Sequence, residues 1–126
     1  LADDAAALCA LAAEAAGARA FVHRGRTCDP FAEPERITVC DAFARHAGVD
    51  LASTLRADAE NDRTALAAMA AGIGLRVSAD DTWGDLFSKI LSEKIEPRLG
   101  DGRLAVLDEY PASEAALARR NAQRPE

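Results

Sequence analysis

Aromatic side chains are scarce in this 126-residue sequence, which has four Phe, one Trp and one Tyr. A chain of this length fits one domain around one core, and with so few rings that core must rest on Leu, Ile and Val. Alanine does not repair the shortage: 30 alanines make up about half of the 49% apolar content, and each buries little area. The expected core is thin for a free-standing domain. Basic residues are also in deficit, 15 Lys and Arg against 21 Asp and Glu for a net charge of −6, which argues against electrostatic capture of a nucleic-acid backbone by this chain. Long apolar runs are missing, because Asp, Glu or Arg interrupts each apolar segment before the roughly 18 residues that a membrane span requires. The Ala-rich opening does not read as a secretory leader, since Asp3 and Asp4 stand where a leader is positively charged and Glu14 interrupts the stretch. A cytoplasmic setting follows by default.

Cysteine is limited to Cys9, Cys28 and Cys40, an odd set that suits no disulfide framework in a chain without secretory features. Reduced thiols are expected. His23, Cys28, Cys40 and His46 are metal-ligating types, but structural zinc sites hold their ligands in close pairs across a tight turn, and 11 residues separate Cys28 from Cys40. Cys40 and His46, six apart in an expected helix, point about 240° apart. No metal site is read.

What is present is mostly helical periodicity. Residues 2–16 read as an Ala-rich helix, with Ala5, Leu8, Leu11 or Ala12, and Ala15 on one stripe and Gly17 closing it. Ala20-Phe21-Val22 reads as a short extended piece, and residues 24–34, with Gly25, Pro30 and Pro34, as loop. Thr38 is placed to cap a helix over 39–47, with Asp41 in a capping-box position, Val39 and Phe43 inward, and Gly48 as the stop. A turn at 51–55 precedes a helix over 59–71 with Leu66 and Met69 inward, and Gly72 and Gly74 break it before Leu75-Arg76-Val77. The strongest pattern runs over 82–95, where Trp83, Leu86, Phe87, Ile90, Leu91 and Ile95 form one helical stripe. Asp80 or Asp81 is expected to cap it, and Pro97 to end it. Leu104-Ala105-Val106-Leu107 reads as a buried strand ended by Pro111, with a last helical turn over 113–119. A lone strand cannot satisfy its own backbone groups, so partners from outside the chain are expected. With a helical pattern entered at once and a polar stretch at 119–126, the sequence is expected to be cut from a longer protein.

The run Glu93-Lys94-Ile95-Glu96-Pro97-Arg98-Leu99-Gly100, then a strand, then Glu109-Tyr110-Pro111-Ala112-Ser113-Glu114-Ala115-Ala116-Leu117-Ala118, resembles the elongation factor P lysine ligase family, paralogues of the lysyl-tRNA synthetase catalytic domain and so similar to class II aminoacyl-tRNA synthetases. Residues 35–50 resemble the same family's middle segment. The resemblance implies an α+β fold, mostly helical, with helices on one or two strands that would belong to a class II antiparallel sheet. It also implies that residues 1–126 are part of one catalytic domain. No Arg-x-Glu lies between strand-like segments and no Gly-rich run ends in Asp-Arg, so the chain corresponds to the region between motif 2 and motif 3.

By that resemblance the parent enzyme is an ATP-dependent, magnesium-using ligase that activates lysine or β-lysine as an adenylate and transfers it to elongation factor P. It would be a homodimer, and this chain alone would be inactive. Tyr110, Pro111, Ala112, Ser113 and Glu114 are the expected lining of the amino-acid pocket, with no catalytic, cofactor-binding or metal-ligating residue expected in the chain. The residues also admit a structural role for that turn, with Pro111 ending a strand and Ser113 capping a helical turn. Glu114 stands where the family often has Gln, which changes charge and donor capacity. Glu93 and Glu96 read as a solvated face and an anchor for the turn at the helix end. Two alternatives stand beside this reading: a piece of a lysyl-tRNA synthetase proper, and a helical interaction module that uses the 82–95 helix without catalysis.

Overall fold

A computed structural model describes residues 1–57 and 59–115. The chain forms two compact units, one of Leu1–Ile37 with Arg98–Val106 and one of Thr38–Pro97 with the residues from Leu107 on. The architecture is α+β and mostly helical, as expected.

The first unit opens with α1 (Ala2–Ala15), which carries Asp3 and Asp4 in its first turn, where the helix dipole favours negative charge. Gly17 closes it at φ 63°, with Gly17 N–H donating to the Glu14 carbonyl and Ala18 N–H to that of Ala13. The expected stripe is the wrong face. Leu8 and Leu11 are 67% and 62% exposed, whereas Ala13 is buried and Ala6, Cys9 and Ala10 are half-buried, so small side chains face inward. The segment expected as loop contains a strand: β1 (Phe21–His23) and β2 (Arg26–Asp29) pair antiparallel with His23 opposite Arg26. Arg24 and Gly25 between them have φ of 49° and 78°, the two-residue turn whose twist matches a hairpin. Arg-Gly is a weak signal for it, because Arg pays a steric cost at positive φ. β2 also pairs in parallel with a two-residue strand, β4 (Gly102–Arg103). The Arg26 guanidinium donates to the Leu99 carbonyl at 3.1 Å.

A second, two-stranded sheet joins β3 (Glu35–Thr38) and β5 (Ala105–Asp108), and Glu35 N–H donates to the Leu104 carbonyl. The expected strand thus begins one residue later, is half-buried along its length, and has its partner within the chain. β3 went unread because Glu and Arg alternate there with Ile and Thr in a run of only four residues.

In the second unit α2 (Val39–Ala47) begins at Thr38, whose hydroxyl oxygen accepts from Asp41 N–H at 3.1 Å, and ends at Gly48 in the left-handed region. A single tight turn follows at Ala52–Thr54. α3 (Arg63–Gly72) starts later than expected because Asp62 caps it, accepting from Ala65 N–H at 2.9 Å. Leu66 and Ala70 are buried, while Met69 is only half-buried. Leu75-Arg76-Val77 adds no strand.

α4 (Trp83–Ile90) is capped by Thr82 rather than by Asp80 or Asp81: Thr82 Oγ1 accepts from Asp85 N–H, and the Asp85 carboxylate accepts from Thr82 N–H at 2.8 Å. This reciprocal box satisfies two N–H groups that would otherwise be orphaned. Pro97 offers no N–H to continue the ladder and its ring crowds the preceding turn. The helix accordingly widens over Leu91–Ile95, where Glu96 N–H reaches back to the Leu91 carbonyl, and then tightens over Glu96–Arg98.

The predicted stripe is the core. Trp83, Leu86, Phe87, Ile90 and Ile95 are buried, and Leu91 is half-buried. Phe87 stacks on Phe43 of α2 at 5.2 Å between ring centroids and on Trp83 at 5.5 Å. The Trp83 indole N–H donates at 3.0 Å to the hydroxyl of fully buried Thr54, which itself donates to the Leu51 carbonyl at 2.8 Å. Trp83→Ala is expected to lower unfolding free energy by about 3–5 kcal/mol and to leave Thr54 without its donor. Denaturant melts check this, and a midpoint equal to that of the parent chain would show that the ring is not part of the core.

Candidate functional site

The strand β5 delivers the chain into the 110–114 turn through Glu109, whose φ of 51° places a non-glycine residue in the left-handed region. Such a residue persists only where its surroundings hold it. Tyr110 is 41% exposed, and its ring meets the Phe87 ring edge-on at 6.3 Å and 65°. Burial and then the negative charge of Glu96 push its hydroxyl above the usual phenol range. Pro111 is buried, and its carbonyl accepts from Glu114 N–H at 2.9 Å, which closes the turn. Ala112 is half-buried. Of the expected helical turn over 113–119, residues 116–119 lie outside the described residues.

Two contacts tie the far end of this turn to the helices. The Asn61 side-chain amide donates to Ser113 Oγ at 3.1 Å, and the same side chain accepts from Arg56 N–H at 3.0 Å. The Glu114 carboxylate lies over Gly84 in the first turn of α4, with Oε1 only 3.0 Å from where a β-carbon would stand. Four of the five expected lining residues, Tyr110, Pro111, Ser113 and Glu114, therefore have identified contacts, three of them against α4 or the approach to α3. Sequence reasoning missed Asn61 and Gly84. The one available signal was a glycine near the start of the strongest helix, where Ala would favour helix formation. Glu96, expected to be a solvated anchor, is exposed but close enough to act on Tyr110.

The approach to α4 is held by charge. Asp81 accepts from Ser78 N–H at 2.7 Å and from the Lys89 ammonium at 2.6 Å, while Arg63 donates to the carbonyls of Asp81, Ser78 and Ala79. The Lys89 bond and then the Ser78 N–H hold the Asp81 carboxyl below the usual range. The Thr82 hydroxyl and then its N–H do the same for Asp85.

Chemically, the turn presents a phenol, a hydroxyl and a carboxylate, groups that receive hydrogen bonds from an ammonium and offer no positive charge to a phosphate. Among the described residues no group of three or more His, Cys, Asp or Glu side chains could hold a metal ion. The Cys28 thiol is pushed up by burial and then by Asp29 and Cys9. Cys40 lines a separate surface cavity of about 340 Å³ with Asp41, Ala44, Val49 and Asp50. No helix among the described residues is long and apolar enough to cross a membrane.

No family model matches the chain. It is 32% identical over 117 residues to a lysine–tRNA ligase of Pelotomaculum thermopropionicum (strain DSM 13744 / JCM 10971 / SI), a match that covers 93% of this chain. The chain spans 22% of that relative's length. The likeness supports kinship with the aminoacyl-tRNA synthetase-like proteins.

Asp81 gives a pH prediction. Its carboxyl titrates lower in the folded chain than in the unfolded one, so its stabilising effect is complete above the unfolded carboxylate value of about 3.9 and is lost as pH falls through the lower folded value. In acid titrations followed by tryptophan fluorescence, Lys89→Met should unfold at higher pH than the parent, and coincident curves would contradict the bridge. Ser113→Ala, at an exposed hydroxyl, should leave the thermal midpoint nearly unchanged.

Proposed function

We propose that this chain is part of an ATP-dependent ligase that activates a lysine-type amino acid, and that its 110–114 turn lines the amino-acid pocket. The observation that carries the reading is the convergence of Tyr110, Ser113 and Glu114 on one turn docked against α4, in a chain similar to a lysine–tRNA ligase. A turn rich in acceptors suits an amino acid that carries two ammonium groups. No Arg-x-Glu lies between strand-like segments and no Gly-rich run ends in Asp-Arg. By the resemblance, ATP and magnesium would be held mainly by other parts of the parent protein, and the 110–114 turn of this chain would meet the amino acid. The parent is read as a cytoplasmic homodimer.

The acceptor is read as a lysine side chain of elongation factor P, on the resemblance carried by Ser113-Glu114-Ala115-Ala116-Leu117-Ala118. The specific observation favouring a second reading, a tRNA acceptor, is the name of the relative. The full-length protein should exchange pyrophosphate into ATP only when lysine or β-lysine is present. Labelled lysine should then appear on elongation factor P. Label on tRNA instead would establish the second reading, and no amino-acid-dependent exchange would overturn both.

A further inference from the structure

Gly84 stands at the second position of α4, inside a helix that is otherwise capped, packed and built from side chains with helical spacing. Its φ is not in the left-handed region, and it makes no turn. A glycine there is costly to the helix without a conformational reason for it. The space its missing side chain leaves faces Glu114, which supplies the three atoms nearest to a β-carbon built at that position among the described residues, with Oε1 at 3.0 Å and both Cδ and Oε2 at 3.7 Å. A methyl group would therefore press on the carboxylate and displace it by a few tenths of an ångström, while the helix backbone would accept the methyl group freely.

We propose that Gly84 is a positioning residue. Its bare α-carbon seats the Glu114 carboxylate against the first turn of α4, where the N-terminal end of the helix favours negative charge, and so fixes the point at which the turn meets an ammonium group of the substrate. Asn61 ties the preceding residue through Ser113 Oγ, so the turn that carries Glu114 is held by a hydrogen bond and its carboxylate lies against Gly84. The inference rests on the lysine-ligase reading for its substrate. The seat itself concerns only this chain.

The test uses a variant that should strengthen the fold while weakening the site. Gly84→Ala should leave the thermal midpoint of the 126-residue chain equal or higher, because Ala is the better helix former. In the full-length protein it should raise the KM for lysine in pyrophosphate exchange by about five-fold, roughly 1 kcal/mol of binding, with the KM for ATP unchanged. On a Glu114→Ala background the carboxylate is gone, and Gly84→Ala should add nothing further to the KM. An unchanged lysine KM, or an equal effect on both backgrounds, would overturn the seat. Should the full-length protein show no lysine-dependent exchange, the ligase reading fails. The same four chains compared by thermal midpoint then decide the seat: Gly84→Ala should stabilise more without Glu114 than with it, and equal gains would overturn it.

Discussion

Phe87 is where three other rings meet. Phe43 stacks on it from α2, Trp83 stacks on it from one turn earlier in α4, and Tyr110 meets it edge-on from the turn after β5. In a sequence with six aromatic residues, four of them stand at this point. Such pairs contribute about 0.5–1.5 kcal/mol each beyond the area they bury, and here they also fix direction. The stack sets how α2 and α4 pack, and the edge contact sets where the turn lies on α4. Tyr110 is held by its ring, and of the residues after it Pro111 is buried while Ser113 is exposed. The scarcity of aromatics thus points to where the chain concentrates its core.

The polar side of the same region is built to leave little unsatisfied. Thr82 and Asp85 close the start of α4 reciprocally, Arg63 gathers three carbonyls of the preceding loop, and buried Thr54 both receives from Trp83 and donates to Leu51. No buried side-chain nitrogen or oxygen among the described residues lacks a partner. Against that rigid background Glu114 is a carboxylate brought to the helix start without being its cap, and Gly84 is the residue that makes room for it. The first unit is built differently. Ala13, Pro30 and Ile37 are its buried apolar residues among those described, and α1 turns its leucines outward.

Much of the second unit was legible in the sequence because its signals are local and periodic. The stripe from Trp83 to Ile95, the Thr38 cap and the Gly48 stop each follow from spacing that a helix dictates. What escaped was set by partners distant in sequence. β3 has four residues and no clean alternation, and it is a strand because β5 accepts it. α1 offered two apolar stripes, and packing chose the alanine one, which periodicity alone cannot rank. The turn at 110–114 was found by family likeness, but its supports were not: Asn61 lies 52 positions from Ser113, and nothing in the sequence links the two. Gly84 passed unread inside the strongest helical pattern, and the position of Glu114 is what gives it a cause.

The central claim is that the 110–114 turn faces the amino acid. The most direct measurement is photolabelling of the full-length protein with a diazirine-bearing lysine analogue, followed by peptide mapping with and without excess lysine. Label on the peptide containing Tyr110 to Glu114, lost when lysine is added, is the result this account predicts. Label that falls within this chain on α1 or around Cys40, or that persists in excess lysine, would contradict it.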